Sequence, residues 1–234
     1  MNLRLDWVDA KAARYACEKW HYSKTMPCGK LMKLGVWENS RFVGVVIFGM
    51  GASPPFFKRI SKWLGVGRFE ACELVRVAMT KHETQVSRII AIALAMLRRH
   101  CPNLKLVVSF ADADQGHHGG IYQAGNWIYT GLRNKGHRDG YRINGRTVHC
   151  RSMPGLGLRN TLADARKLDP RAEVIIGNGK HQYWYPFSDD VRCRLVVSSI
   201  PYPKRAGSIG SDAAAVQVAQ GGATPTSALS VISE

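Results

Sequence analysis

The sequence predicts an α/β protein whose single domain is built on a mixed sheet of six or seven strands flanked by helices. Three observations lead to this class. Strand-like and helix-like segments alternate, hairpins interrupt that alternation, and 45% of the 234 residues are hydrophobic, as expected for a domain with a real core. In addition, Phe42–Phe48 is an almost unbroken apolar run, which is typical of a strand covered on both faces.

The first part of the chain predicts three strands, a helix and an insertion. Asp9 is a suitable N-cap, and apolar residues recur after it at helical spacing until Pro27 and Gly29 break the pattern. A turn at Glu38-Asn39-Ser40 joins two strands as a hairpin. The predicted segments are strands at Leu3–Trp7, Lys33–Trp37 and Phe42–Phe48, and an irregular, basic and aromatic insertion at Gly51–Phe69.

The second part continues the alternation. A strongly apolar helix, Arg88–His100, has basic residues in its last turn and ends before Pro102. Two shorter helices are predicted at Gly119–Ala124 and Asn160–Leu168. The predicted strands are Cys72–Met79, Leu104–Ala111, Trp127–Leu132 and Arg142–Arg151, followed by a pair of extended segments within Lys180–Val197.

Composition divides the chain into a domain at 1–205 and a tail at 206–234. The tail is rich in Ala, Gly, Ser and Thr and nearly uncharged, so we predict that it is disordered. The formal charge is +16, from 33 Lys and Arg against 17 Asp and Glu, and every Lys and Arg precedes the tail. Such a surplus attracts a polyanion, so nucleic acid is favoured as partner over a basic charge without function.

Compartment features point to the cytoplasm. The N-terminal segment carries charges throughout, and no apolar run reaches the ~18 residues of a membrane span, so no membrane partner is expected. Six scattered cysteines without a CxxC pair favour free thiols over disulfides or a zinc ribbon.

One candidate site is the passage from strand to loop to helix in CELVRVAMTKHETQVSRIIAIALAML. The first turn of such a helix leaves N–H groups that bind phosphate or pyrophosphate, with Ser87 and Arg88 beside them. An ordinary strand-to-helix turn is the alternative. Arg76 weakens that alternative, because it shares a strand face with Cys72, Leu74 and Ala78 and a buried arginine needs a partner. That partner could be Glu70, Glu73 or an anionic ligand.

A second candidate site is the end of a buried strand in LKLVVSFADADQGHHGG. By period two, Asp112 is the polar end of an apolar strand face, at the edge where α/β sheets bind ligands. It could bind a metal, accept a hydrogen bond from the exocyclic amine of a base, or cap the loop. The side chains of His117 and His118 point to different sides, because the two residues are adjacent. At most one of them could therefore bind a metal together with Asp112 and a third ligand from a distant part of the chain.

Two aromatic segments complete the candidate chemistry. Tyr122 lies on a short helix before Gly125, where its hydroxyl could enter the crevice as a general acid or be half-buried without a role. His21 and Tyr22, in WHYSK, could stack on a base, line a pocket or bind iron.

The order of strand, phosphate-type loop, helix and Tyr-x-x-Gly resembles the GNAT acyltransferase fold. This resemblance implies a binding loop for acetyl-CoA at Thr80–Arg88 and a general acid at Tyr122. The segments WHYSK, CELVRVA, VSRIIAIA, FADADQGHHGGIYQAG and KHQYWYPF more closely resemble the phage Mu Mom-like family of DNA adenine hypermodification proteins. The matching segments span most of residues 15–190.

The closer resemblance implies an enzyme that converts adenine in phage DNA to N6-carbamoylmethyladenine and so protects the DNA from host restriction enzymes. It implies acetyl-CoA or another small donor, iron, and double-stranded DNA with the target adenine flipped out, in the cytoplasm of the host cell. The implied catalytic residues are Asp112, Tyr122, His21 and Tyr22. The implied donor-binding residues are Arg76, Ser87 and Arg88. The implied iron ligands are His21, Tyr22, Asp112 and His118. Basic residues predicted to bind DNA are Lys58, Arg59 and Lys62.

Other functions stay open at this point. One is a conventional acetyl-CoA-dependent N-acyltransferase acting on protein or RNA, and another is a DNA-binding protein without enzymatic activity. The donor is also open, because carbamoylmethyl transfer forms a carbon–nitrogen bond at a methylene carbon. Either a redox metal activates the methyl carbon of an acetyl group, or a glycine-derived donor supplies the atoms. The oligomeric state is undecided, with a homodimer as one alternative.

Overall fold

The large sheet of the protein has seven strands and leaves a gap in its middle. We describe residues 2–50 and 54–204 of a computed structural model, so the predicted tail lies outside the described residues and its boundary stays a prediction. The strands are β1 Leu3–Trp7, β2 Leu31–Glu38, β3 Arg41–Gly49, β4 Ala71–Met79, β5 Leu106–Asp112, β6 Ile128–Arg133, β7 Arg138–Ile143, β8 Arg146–His149, β9 Glu173–Ile176 and β10 Lys180–Pro186. The helices are α1 Ala10–Trp20, α2 Pro54–Leu64, α3 Val86–His100, α4 Gly120–Gln123, α5 Leu162–Leu168 and α6 Asp189–Val196.

The strand order of the large sheet is β1-β2-β3-β4-β5-β10-β6. All neighbours are antiparallel except β4 and β5, which are parallel. Parallel pairing requires a crossover, and α3 supplies it between these two strands. The predicted fold class, a mixed sheet flanked by helices, is therefore confirmed.

The parallel pair β4–β5 is short, and this creates the gap. Only Ala71, Cys72 and Glu73 pair with β5 before the two strands separate toward their C-terminal ends. Just beyond the last pair, Oγ of Ser109 donates to the carbonyl of Leu74 at 2.9 Å. Where the two strands diverge, the Ser109 side chain thus makes the hydrogen bond that backbone groups make between paired strands.

Helices cover both faces of the sheet. Val45 and Ile47 of β3 pack against α1, whereas Val46 packs against α3 on the opposite face. Along β5, Leu106 and Val108 pack against α2 and α6, on the same face of the sheet as α1. Among the described residues, no helix combines the length and apolar character required to cross a membrane.

The prediction of an irregular insertion at Gly51–Phe69 was wrong for much of its length. Pro54–Leu64 forms α2, while positions 51–53 lie outside the described residues. Phe57, Ile60 and Leu64 recur at helical spacing and are buried in the core beside β5. Pro54 and Pro55 stand in the first turn of α2, where proline is compatible with a helix.

Two later predictions also require correction. The single strand predicted at Arg142–Arg151 is a hairpin of β7 and β8, joined at Asn144-Gly145 with φ of +48° and +72°. Asn-Gly is a typical two-residue hairpin turn, so the dipeptide is a signal for the hairpin. The second extended segment within Lys180–Val197 is instead α6, which buries Val191 and Leu195 one turn apart.

A second, smaller sheet has the order β8-β7-β9 and was not predicted. It belongs to residues 134–179, which we call the basic insertion because it connects β6 to β10 and carries nine Lys and Arg against four Asp and Glu. A core of its own, around Tyr141, Ile143 and Met153, supports it. The insertion begins and ends at the edge of the large sheet where β5 ends.

Candidate functional site

Asp112 is the last residue of β5 and the centre of the polar group at the gap. Its side chain is 12% exposed. Oδ2 lies 3.3 Å from Nζ of Lys180, its register partner on β10, and accepts a hydrogen bond from the hydroxyl of Tyr22 at 3.4 Å. Oδ1 accepts from the backbone N–H of Asp114 at 3.1 Å. The carboxylate is therefore held in place by three donors from different segments.

The segment after α1 brings His21 and Tyr22 to this carboxylate. The helix ends at Trp20, and His21 has extended backbone geometry that turns the chain toward β5. The two rings are 4.1 Å apart between centroids, and the ring of Tyr22 is 5.7 Å from that of His117. Burial, with the negative charge of Asp112 next, raises the pKa of Tyr22 to about 12, so its hydroxyl stays protonated.

Arg76 reaches the same face because β4 contains a bulge. The register with β3 passes from Arg76 to Leu74, which leaves Val75 as the extra residue. Leu74 therefore packs on the α3 side, whereas Ala78 packs against α1. The prediction that Arg76 shares one face with Cys72, Leu74 and Ala78 was wrong, because Cys72 and Leu74 lie on the α3 side and strict period two is interrupted by the bulge.

Arg76 and His21 form an uncommon pair of a cation and a neutral imidazole. Nη1 of Arg76 donates to Nδ1 of His21 at 3.1 Å, and the N–H of Ser23 donates to the same nitrogen at 3.1 Å. Burial, followed by the charge of Arg76, lowers the pKa of His21 to about 3, so the ring is neutral near pH 7. Within the described part of the chain, buried Nε of Arg76 has no hydrogen-bond partner.

These side chains do not fit the iron that the resemblance implies. Nδ1 of His21 is occupied by Ser23 and faces the guanidinium of Arg76, which opposes a second cation there. His118 accepts hydrogen bonds at its carbonyl from Tyr183 and Gln123, and it is His117 that lies beside Tyr22. Across residues 2–50 and 54–204, no cluster of three His, Cys, Asp or Glu side chains could hold a metal ion. Three of the four predicted ligands, His21, Tyr22 and Asp112, thus lie together, but His21 faces a cation, and His117 rather than His118 lies beside Tyr22.

Tyr122 lies deeper in the gap than the sequence suggested. α4 buries its ring between Trp127 and Tyr183, with each pair of centroids 5.1 Å apart. Its hydroxyl is 2.8 Å from Oγ of Ser109. Since Ser109 gives its proton to the carbonyl of Leu74, the Tyr122 hydroxyl is the donor to Ser109. Burial raises the pKa of Tyr122 to about 12.

Ser87 and Arg88 lie at the first turn of α3, apart from Asp112 and on the other face of the sheet. The N-cap residue Gln85 makes no side-chain capping hydrogen bond. The preceding loop is instead held by Glu38, whose carboxylate accepts the N–H groups of Glu83 and Thr84 at 2.9 and 2.7 Å. The loop before α3 is therefore positioned by the buried carboxylate of Glu38, a residue that was predicted only as part of a hairpin turn.

Replacing Glu38 by glutamine is expected to lower the free energy of unfolding by about 2 kcal/mol near pH 7, because two charge-assisted hydrogen bonds are weakened. Hydrogen bonds from Thr84 and Glu83 lower the pKa of Glu38 from 4.5 to about 2. Its contribution is therefore complete above pH 4.5 and is lost as the pH falls through about 2. Urea unfolding at several pH values, with exposed Glu18→Gln as control, measures this; equal stability of the Glu38 variant and wild type at pH 7 contradicts it.

The three basic residues predicted to bind DNA, Lys58, Arg59 and Lys62, are exposed along α2. On the buried side of this helix, Phe56 contacts Phe110 with ring centroids 5.7 Å apart. Phe110 is partly buried and precedes Asp112 by two residues on the same strand face. An aromatic surface therefore adjoins the carboxylate.

Sequence reasoning missed two residues of this group, Lys180 and Ser109, and preferred the wrong one of two histidines. Lys180 meets Asp112 only through the register of β10 with β5, and Ser109 meets Tyr122 only at the gap between β4 and β5. His117 was considered, but His118 was preferred. The strand face of β5 contained a usable signal for Ser109, because a lone hydroxyl within an apolar run requires a partner.

Known proteins are similar to this chain in sequence and, more weakly, in structure. The pattern that defines the Mom protein family matches residues 2–204. A methylcarbamoylase, mom, of Escherichia phage Mu is 29% identical over 213 residues, covering 87% of this chain and 84% of that protein. Similar solved structures include a spermidine N-acetyltransferase mutant of Vibrio cholerae (TM-score 0.47, 9% identity, 81% of this chain and 96% of that one). An N-acetyltransferase of Staphylococcus aureus has a TM-score of 0.46 at 10% identity, over 80% and 98% of the two chains.

Proposed function

The chain belongs to the Mom protein family, and from this premise we propose that it is a transferase that adds a carbamoylmethyl group to N6 of adenine in DNA. The modified base would protect phage DNA from restriction enzymes. The observation that carries the proposal is the carboxylate of Asp112, held by Tyr22 and Lys180 at the open end of the gap. A partly buried carboxylate is a suitable acceptor for an exocyclic amine.

The geometry suits a base that has left the duplex. Adenine within the double helix is stacked and paired, so its amine becomes accessible to a protein pocket once it is flipped out. Phe110 and Phe56 offer an aromatic surface beside Asp112 on which a flipped base can stack. In that position N6–H donates to Asp112, which gives the carboxylate contact with the nitrogen that reacts.

The transfer forms one bond and breaks one. N6 bonds to the methylene carbon of the donor, and the leaving group departs from that carbon with the bonding electrons. Asp112 accepts the proton that N6 loses. The Tyr122 hydroxyl, whose pKa of about 12 keeps it protonated, turns from Ser109 to give its proton to the leaving group. Ser109 fixes the Tyr122 hydroxyl in the gap between β4 and β5.

Cations on the two faces of the gap suit an anionic donor. Arg76 presents a buried Nε without a hydrogen-bond partner among the described residues, next to a histidine that carries no charge. On the other face, Ser87 and Arg88 stand at the first turn of α3, where backbone N–H groups favour phosphate. A small donor that carries anionic groups and a leaving group on its methylene carbon, which acetyl-CoA lacks, would be bound by these residues. The proposed steps involve no metal, because the guanidinium of Arg76 faces His21, and His117 rather than His118 lies beside Tyr22.

Mass spectrometry of nucleosides tests the proposal directly. We expect DNA from cells that coexpress the protein to contain adenine heavier by one carbamoylmethyl group, and to resist restriction enzymes that cleave DNA from cells without the protein. An acetyl group on a protein or RNA, with unmodified DNA, would instead favour the conventional acyltransferase. Unmodified DNA in the presence of folded, expressed protein contradicts the proposed function.

A further inference from the structure

The basic insertion stands directly beside Asp112. Nζ of Lys180 lies 3.3 Å from Asp112 and 4.0 Å from Asp139 of β7, so one side chain connects the site to the insertion. Asn178 donates from its backbone N and from Nδ2 to the carboxylate of Asp114, the latter at 2.6 Å. These contacts place the first residues of β7 at the edge of the site.

The acidic side chains of the insertion are largely occupied within it. Asp164 is buried and pairs with Arg159 and Lys167. Asp169 accepts the backbone N–H groups of Asn144 and Arg171. These two carboxylates stabilise the small fold and leave its outer surface basic.

Three of the basic residues that are left lie on the hairpin of β7 and β8. Arg138, Arg142 and Arg146 are all exposed, and within the described part of the chain none of them forms an ion pair. Arg138 donates to the carbonyl of Asn160 and lies over the ring of Tyr141, which fixes its direction. From Asp139 to the turn at Asn144 the hairpin extends about 17 Å, at ~3.3 Å per residue.

We infer that the β7–β8 hairpin binds the phosphate backbone of duplex DNA beside the flipped adenine, as a surface distinct from α2. This inference rests on the proposed function, which supplies DNA as the polyanion. Unpaired, exposed arginines suit phosphates because guanidinium matches the geometry of phosphate oxygens. Contacts of this kind position the duplex and carry no sequence information. The root of the hairpin beside Lys180 would place the bound backbone next to Asp112.

Charge-neutralising variants test the inference. The hairpin variant combines three changes, Arg138→Gln, Arg142→Gln and Arg146→Gln. The control removes three exposed charges near the opposite ends of the strands, where Trp7 meets His100 and α6 begins. It combines Lys11→Gln, Arg99→Gln and Arg192→Gln. Binding of a duplex oligonucleotide is measured over a series of salt concentrations, with melting curves to verify folding.

We expect the hairpin variant to bind duplex DNA more weakly, with the slope of log K against log salt reduced by about 3, and the control to keep the wild-type slope. The pair Arg142→Gln and Arg146→Gln, which retains the contact of Arg138 with Asn160, should reduce the slope by about 2. A wild-type slope in both hairpin variants overturns the inference. So does tighter wild-type binding to a matched RNA duplex, which would identify RNA as the polyanion. Neither result depends on modified adenine, so failure of the proposed function is seen separately, in the nucleosides.

Discussion

Replacing Asp112 by alanine is expected to abolish formation of the modified base while leaving DNA binding nearly intact. The carboxylate is the only acidic group that the described structure places in contact with both Tyr22 and Lys180. A positioned general base accelerates proton transfer by about 10²–10⁴-fold, and its loss should reduce the rate by that factor. Single-turnover rates on a defined duplex, with mass spectrometry of the product, measure the change.

Two further variants distinguish loss of proton transfer at Asp112 from the general effect of removing a carboxylate. Asp112→Asn preserves the shape and a carbonyl oxygen but cannot accept a proton at neutral pH, so it should be nearly as inactive as the alanine variant. Asp6→Ala removes an exposed carboxylate from β1 and should behave as wild type. If Asp112→Asn retains most of the activity, Asp112 is a binding residue or a loop cap and not the proton acceptor.

The second large effect is expected at Tyr122. Substituting phenylalanine keeps the ring between Trp127 and Tyr183 but removes the hydroxyl that points into the gap. If this hydroxyl protonates the leaving group, the rate should fall by about 10²-fold or more. Stability should change by only about 1 kcal/mol, because Ser109 still donates to the carbonyl of Leu74.

Ser109→Ala is the matched variant for this prediction. It keeps Tyr122 but removes the acceptor that orients the hydroxyl, so an intermediate loss of rate is expected, with the substrate affinity unchanged. Comparison of kcat with KM in both variants distinguishes a role in catalysis from a role in packing. Full activity of Tyr122→Phe would show that the hydroxyl serves only the core.

The local sequence pattern was sufficient to predict the strands of the large sheet, though not their order. The alternation along β5 predicted Leu106, Val108 and Phe110 on one face, and the core confirms it. Helical spacing likewise predicted α1 and α3. These elements bury their apolar residues against the sheet with regular periods, and regular periods are visible in sequence.

The parts that failed are those where the regular pattern is interrupted or where distant segments meet. A bulge at Val75 places Arg76 on the face of the sheet opposite Leu74, and a bulge cannot be predicted from the period of apolar residues. The pairing of Lys180 with Asp112 depends on register between strands far apart in the chain. Which of His117 and His118 faces Tyr22 depends on the turn of a short loop. Several predicted side chains therefore do meet around Asp112, but the other members of this group were not predicted from the sequence.

The route of the chain into and out of the basic insertion has a consequence for divergence among relatives. The chain leaves the large sheet at Arg133 and re-enters it at Lys180, and these two residues are direct partners across β6 and β10. Two antiparallel partners can be joined by a two-residue turn, so the large sheet can close without the residues between them. Evolution can thus exchange this segment as a unit, which would replace the proposed DNA-binding hairpin while the group of side chains around Asp112 is kept.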